Sequence, residues 1–358
     1  MEQPKDILSH FVLKGTVDTI EPLGNGLIND TFRVTTAEHD QPDYVLQRIN
    51  HAIFTDVDLL QHNIEAVTRH LRQKLEADAA DDIDRRVLRF VETPSGKTYY
   101  HDGSNYWRVS VFIADTVTVN EVTPASSYDA GRAFGRFEQQ LTDLPEELGE
   151  TIPDFHNMEL RIRQLRDAVS RDAAGRLSSV AEELELIWRY ADDMCLAEQL
   201  HREGLLPKRI CHCDTKVNNM LFDQQGHVLC VIDLDTVMPA YVFSDYGDFL
   251  RTAANSVAED SPELEKVSFR WDIFEAFTRG YLESATFLTH VERDNLPFAV
   301  ALFPMMQAMR FLADYLNGDT YYKTLYADHN LVRTRNQLRY FQCVEERMAD
   351  MQKLIRSL

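Results

Sequence analysis

The apolar and polar positions of residues 16–48 fall into short runs, "TVDTIEPLG", "NGLIND", "TFRVTT" and, after a polar turn at 37–43, "YVLQRI". Their Val, Ile, Thr, Phe and Tyr content predicts a meander of strands. At residue 56 the period changes. Leu60, Ile64, Val67, Leu71 and Leu75 recur at helical spacing, which predicts a helix over 56–77 with one apolar face and Asp56 as its cap. Strand pattern then returns in "RRVLRFV" and in "KTYYHDGSNYWRVSVFI", where Asp102-Gly103 predicts a hairpin turn between two aromatic and β-branched runs.

From about residue 125 the pattern is mainly helical. Ala130, Ala133, Phe134, Phe137 and Leu141 mark one helix and 180–203 another, with long helical segments at about 263–289, 292–317 and 333–356. Inside this part lies a β island, "RICHCDT", "NMLFD" and "HVLCVIDLD", with a turn at Gln224 to Gly226. The sum is an α+β chain. A small N-terminal antiparallel sheet lobe with one helix (1–114) precedes a larger helical lobe with a β insert (115–358), the boundary lying near 112–120.

Composition narrows the function. The chain has 358 residues, enough for two domains, and 44% hydrophobic with 27% charged residues is ordinary globular composition. With 37 Lys and Arg against 58 Asp and Glu the net charge is -21, which repels a polyanion and argues against a nucleic-acid partner. No window approaches the length of uninterrupted apolar residues needed to span a membrane, and no basic region followed by a long apolar run marks a secretory signal. A cytoplasmic location is therefore expected. Five cysteines (195, 211, 213, 230 and 343) are an odd number in a large chain and predict reduced thiols.

Three stretches carry candidate chemistry. "RICHCDTKVNNMLFD" sets Cys211, His212, Cys213 and Asp214 side by side, yet no second close Cys or His pair completes a zinc site, and on an extended segment His212 faces away from its neighbours. "SGKTYY" at 95–100 lacks the glycine of a phosphate-binding P-loop, Val91 standing in its place. "GNGLIN" at 24–29 is followed by a strand rather than a helix, which removes the helix N-terminus of a dinucleotide site. A glycine-rich turn between two strands instead suits a loop laid over ATP phosphates, or is a plain hairpin.

The spacing His212, Asp214, Asn219 fits H-x-D-x-x-x-x-N, with Asp233 following in "VIDLD" after a hairpin. Phosphoryl transfer requires each part. Asp214 orients the acceptor hydroxyl and takes its proton, Asn219 and Asp233 hold Mg²⁺, and Lys216 neutralises charge on the phosphoryl group in transit. His212 reads as a scaffold residue.

"CHCDTKVNNMLFD" with "VIDLDTVMPAYVFSDYGDFLR" resembles the aminoglycoside phosphotransferase and choline kinase superfamily, whose members phosphorylate small alcohols with ATP on a two-lobed protein-kinase-like fold. "GNGLINDTFRV", "YVLQRIN", "DTKVNNML", "IDLDT", "MRFLADYLNGD" and "HNLVRTR" resemble more narrowly the N-acetylhexosamine 1-kinases of gut bacteria, collinearly from about residue 10 to 340. The resemblance implies Asp214 as catalytic base and Asn219 and Asp233 as Mg²⁺ ligands. It implies Gly24, Gly26 and Asn29 in the loop over ATP, Glu65 as the brace of the phosphate-binding strand, and 110–115, with Val111 and Ile113, as the adenine hinge. Asp245 and Asp248 match a stretch that supports the loop. Arg310 and Tyr321 match positions near the sugar, the alternative being a helix-face Arg and a packing Tyr.

Two positions depart from the pattern. Gln47 stands where kinases carry the strand-three Lys, and Arg48 points to the opposite face. Leu27 stands where the sugar kinases often carry His. The expected activity is ATP- and Mg²⁺-dependent phosphorylation of the 1-hydroxyl of N-acetylglucosamine or N-acetylgalactosamine. The alternatives are a kinase of another small alcohol such as choline or homoserine, and a silent nucleotide-binding module suggested by Gln47.

Overall fold

A computed structural model describes residues 3–24, 28–117, 119 and 122–358. The chain divides into two compact units, one of Met1–Thr118, Asp143–Pro153 and Met220–Met238, the other of Val119–Thr142, Asp154–Asn219 and Pro239–Leu358. Gly26 and Leu27 lie outside the described residues.

The first unit holds α1 (Pro4–Leu8), β1 (Val17–Pro22), β2 (Asp30–Thr36), β3 (Tyr44–Ile49), α2 (Val57–Ala77), α3 (Ile83–Arg86), β4 (Tyr99–His101) and β5 (Tyr106–Val111). The strands form one antiparallel sheet in the order β1-β2-β3-β5-β4. Alternation divides its faces. Val34, Leu46 and Val109 belong to an apolar cluster with Ile7, Leu8 and Phe11, while the next residues along β3 and β5, Gln47 and Arg108, are cross-strand partners on a polar line. The α2 helix behaves as its period demands: Leu60, Ile64, Val67, Leu71 and Leu75 are buried, and Asp56 Oδ1 accepts the Leu59 N–H at 2.9 Å. At the β4–β5 hairpin Asp102 Oδ1 accepts the Ser104 and Asn105 N–H groups while Gly103 takes φ +92°, a conformation that favours glycine.

The second unit contains α4 (Pro124–Leu141), α5 (Met158–Arg171), α6 (Ala181–Tyr190), α7 (Leu196–Arg202) and β6 (Arg209–Cys211). The hairpin of β7 (Met220–Phe222) and β8 (Val228–Val231) belongs to the first unit, and β9 (Met238–Ala240) leads into the rest of the second. There follow α8 (Phe243–Ala253), α9 (Trp271–Ser284), α10 (His290–Asp294), α11 (Leu296–Leu316), α12 (His329–Glu345) and α13 (Met348–Ser357). Helices α4 and α9 touch backbone to backbone. A Cβ on Gly131 would lie 2.2 Å from Phe277 O, and one on Gly280 would lie 2.0 Å from Tyr128 O, so only glycine admits the approach. Helix α11 is long and apolar enough to cross a membrane by length and composition, but 83% of that stretch is buried inside the protein.

Several expected elements take a different form. "NGLIND" supplies no strand among its described residues until Asp30. "RRVLRFV" splits into α3 and a segment touching β5 through one isolated bridge, Phe90 to Ser110. The 180–203 helix breaks at Asp192–Asp193, where Cys195 N–H closes a 3-10 turn onto Asp192 O, because Asp favours local turns over helix interiors. Pro262 and an extended stretch pairing Phe269 with Asn255 delay α9 to residue 271. Pro297, which has no N–H to donate, sits in the first turn of α11 and separates it from α10. The 333–356 segment is two helices, α12 and α13, divided at Glu346–Arg347.

Candidate active site

In the second unit β6 delivers the chain into the motif. His212 is fully buried against Phe134 and Phe137, and its Nδ1 accepts the Asp214 N–H at 3.3 Å. Between them Cys213 takes φ +64°, a left-handed conformation unusual for a residue with a Cβ. The two carboxylate oxygens of Asp245 explain how this backbone is held: they accept His212 N–H and Cys213 N–H, each at 2.7 Å, and Asp245 O accepts the Thr215 hydroxyl at 2.7 Å. Cys211 and Cys213 are buried free thiols.

The loop then brings three expected residues together. Asp214 Oδ1 lies 2.7 Å from Lys216 Nζ, and Asn219 Nδ2 donates to Asp214 O at 2.7 Å and to Asp214 Oδ2 at 3.0 Å. Burial raises the Asp214 carboxyl, but Lys216, His212 and Asn219 outweigh it and the group sits below the usual aspartate value. Burial lowers Lys216, and Asp214 and Asp248 raise it by more. The result is an ionised carboxylate beside a charged ammonium, with the Asp214 side chain 25% exposed and able to meet a hydroxyl.

A second group lies on the turn before α5, on α5 itself, on α11 and on the 318–328 loop. The Arg310 guanidinium stands over Phe155 (5.4 Å) and Tyr322 (5.7 Å) and donates to Gln307 Oε1 at 2.7 Å. No carboxylate pairs with it among the described residues. His156 Nδ1 and the Tyr322 hydroxyl are buried without hydrogen-bond partners. Burial, then Arg310 and Arg161, push His156 well below its usual value, while burial with Arg310 alongside lowers Arg161 to about 10. The expected Tyr321 is 62% exposed and anchored by its N–H to Asp314 Oδ1; it is Tyr322 that packs under Arg310.

The first unit carries the other expected residues. Gly24 has φ +69°, with open space where a Cβ would stand. Asn29 Nδ2 donates to Asp235 Oδ2 at 2.7 Å and Asn29 Oδ1 accepts the Asn50 N–H at 2.9 Å. Asp235 also pairs with Arg108 at 2.5 Å, both side chains nearly fully buried, and Arg108 Nε donates to Gln47 Oε1 at 2.9 Å. At the lysine position, therefore, Gln47 meets a cation from the neighbouring strand. Glu65 accepts the Thr98 hydroxyl rather than a lysine. Ile113 is buried, and Val111 N–H donates to Arg89 O at 2.9 Å. Asp233, like Cys213, takes a left-handed conformation, at φ +60°, ψ +55°.

Residues 19–282 match the model of the APH family, described as the phosphotransferase enzyme family. The chain belongs to this family. Solved structures share its fold. An aminoglycoside phosphotransferase from Alicyclobacillus acidocaldarius subsp. acidocaldarius DSM 446 is 14% identical, covering 100% of this chain and 98% of its own, with a TM-score of 0.64. A microcompartment-associated aminopropanol kinase is 17% identical over 97% of each chain, TM-score 0.65. Amicoumacin kinase in complex with AMP-PNP and Ca²⁺ is 14% identical over 95% of this chain and 94% of its own, TM-score 0.61.

In the phosphotransferase, sequence reasoning passed over Arg108, Asp235, His156 and Tyr322. For Arg108 a signal existed: a lone cation inside the apolar run "YWRVSVFI" must find a partner when buried. His156 carries none, since its surroundings come from distant helices.

Proposed function

We propose that this phosphotransferase transfers the γ-phosphoryl group of ATP to the anomeric 1-hydroxyl of an N-acetylhexosamine, N-acetylglucosamine or N-acetylgalactosamine, giving the sugar 1-phosphate. The observation that carries the reading is Asp214, an ionised carboxylate fixed by Lys216 and Asn219 on a loop held by Asp245. It accepts the acceptor's hydroxyl proton, and an anomeric hydroxyl, more acidic than an ordinary alcohol, needs little assistance. Lys216 offsets charge on the phosphoryl group. The Gly24–Asn29 loop and the 110–115 hinge bind nucleotide.

Asn219, whose Nδ2 is engaged by Asp214, offers an amide oxygen and Asp233 a carboxylate, the kind of oxygen donors that Mg²⁺ takes. When bound, the ion neutralises phosphate charge. The amicoumacin kinase complex with AMP-PNP and Ca²⁺ supports a nucleotide with a divalent cation.

The polar groups around Arg310 support a hydroxyl-rich acceptor. A quaternary ammonium seeks aromatic faces and negative charge, whereas Arg310 and Arg161 bring positive charge to the Phe155 and Tyr322 rings. The unpaired Arg310 guanidinium favours as second reading an acceptor with a carboxylate, such as homoserine.

The test is turnover of Mg²⁺-ATP against N-acetylglucosamine, N-acetylgalactosamine, glucose, galactose, choline and homoserine, with phosphorus NMR of the product. Anomeric phosphate on an N-acetylhexosamine is the expected result. Turnover confined to homoserine or choline overturns the sugar assignment, and no turnover with any acceptor overturns the assigned reaction.

A further inference from the structure

Glu138 on α4 and Asp245 on α8 are both deeply buried, as is Cys211 at the end of β6. One carboxylate oxygen of each acid and Cys211 Sγ lie within 4.8 Å of one another. The two acids are not equivalent. Asp245 is committed to His212 N–H and Cys213 N–H, whereas Glu138 takes the Tyr281 hydroxyl on Oε2 and, as a weaker donor, the Cys211 thiol, and meets the Asp245 carboxyl itself. Among the described residues neither carboxyl pairs with Lys or Arg; the nearby Arg209 is bound to Glu292 at 2.9 Å. The other groups facing the pair are the His212 ring and the Cys213 thiol.

We propose that Glu138 and Asp245 hold one proton, resident on Glu138, and that this proton keeps Asp245 an effective clamp for the 212–215 backbone that presents Asp214. Two carboxylates this close in a dry interior cannot both ionise. The proton goes to the acid with the weaker set of donors. Burial, followed by the Asp245 charge, drives Glu138 well above the usual glutamate value, and burial also raises Asp245, against the pull of His212 and the two backbone N–H groups. Glu138 is thus a positioning residue, acting on Asp214 through Asp245.

Stability follows with a definite sign. A carboxyl whose folded value is raised contributes stability that is fully present below its ordinary value of 4.5 and is lost as pH rises through the folded value. Glutamine puts an N–H donor in place of the carboxyl O–H and cannot ionise, so Glu138→Gln escapes that loss.

The experiment is infrared spectroscopy of the full-length protein with thermal unfolding across pH. At neutral pH the wild type is expected to show the C=O stretch of a protonated carboxyl, absent in Glu138→Gln, and the melting temperature of Glu138→Gln is expected to gain on the wild type as pH climbs above about 4.5. With any acceptor that turns over, Glu138→Ala loses about tenfold in kcat and Glu138→Gln regains most of it. No protonated-carboxyl band in the wild type, a melting gap flat with pH, or a stoichiometric metal ion in the purified protein that Glu138→Gln removes would each overturn the assignment. If Glu138→Gln does not fold, the wild-type band decides by its presence or absence at neutral pH. The infrared and melting readouts use neither acceptor nor ATP, so they stand apart from the fate of the sugar reading.

Discussion

In the proposed reaction Asp214 concentrates the chemistry in one side chain. Replacing it with Asn keeps the contact with Asn219 but removes the charge and the proton acceptor, so turnover falls about 10²–10⁴-fold while ATP-Mg²⁺ affinity measured by calorimetry changes little. Because the folded Asp214 value lies below the usual 3.8, the acid limb of kcat/KM assigned to this group falls below that pH, and a limb near neutrality would belong to another group. The motif was legible because its spacing is local: Asp214, Lys216 and Asn219 meet within a six-residue loop. Asp245, thirty residues further on, was legible only through the family resemblance, and His156 was not, because nothing in "DFHNM" says that Arg310 and Phe303 will close around it.

Among elements, the β3–β5 pair and the α4–α9 pair bear the most specific constraints. Arg108 and Asp235 form a buried ion pair that also fastens Asn29, so Arg108→Met leaves an uncompensated carboxylate and costs about 3–5 kcal/mol in urea unfolding. The double variant Arg108→Met/Asp235→Leu recovers much of that loss, since it removes both charges. On α9, Gly280→Ala drives a methyl into Tyr128 O and costs about 1–3 kcal/mol, with a matching fall in melting temperature. The sequence located α2 to within a residue because its apolar stripe and Asp56 cap agree. It overran at α7 and α9, where continuous apolar content hid breaks set by Asp192–Asp193 and by the Phe269–Asn255 pairing.

For the whole molecule, a net charge of -21 means that like charges oppose compaction. Sodium chloride near its Debye-screening range of about 0.1–0.5 M is expected to raise the melting temperature, whereas a protein held by surface ion pairs would lose stability. Acid acts through His156. Its folded value lies below the usual 6.5, so the unfolded chain takes the proton first, and stability present above pH 6.5 is lost as pH falls. Urea midpoints at successive pH values should fall toward acid in the wild type and fall less in His156→Gln. Fold class and the two-lobed plan were legible from the switch between strand and helix periods; the interleaving of 143–153 and 220–238 with the sheet unit was not, since it depends on pairings such as Val117 with Phe222.

The five free cysteines turn the phosphotransferase into its own reporter of opening. Burial pushes Cys195 up to about 11 and Cys230 up to about 12, and raises Cys211, Cys213 and Cys343 as well. At neutral pH almost no thiolate exists, so alkylating reagents find little to attack while the chain is folded. Pulse labelling read by mass spectrometry then dates the exposure of each segment, with Cys211 and Cys213 marking the moment the loop that carries Asp214 comes apart.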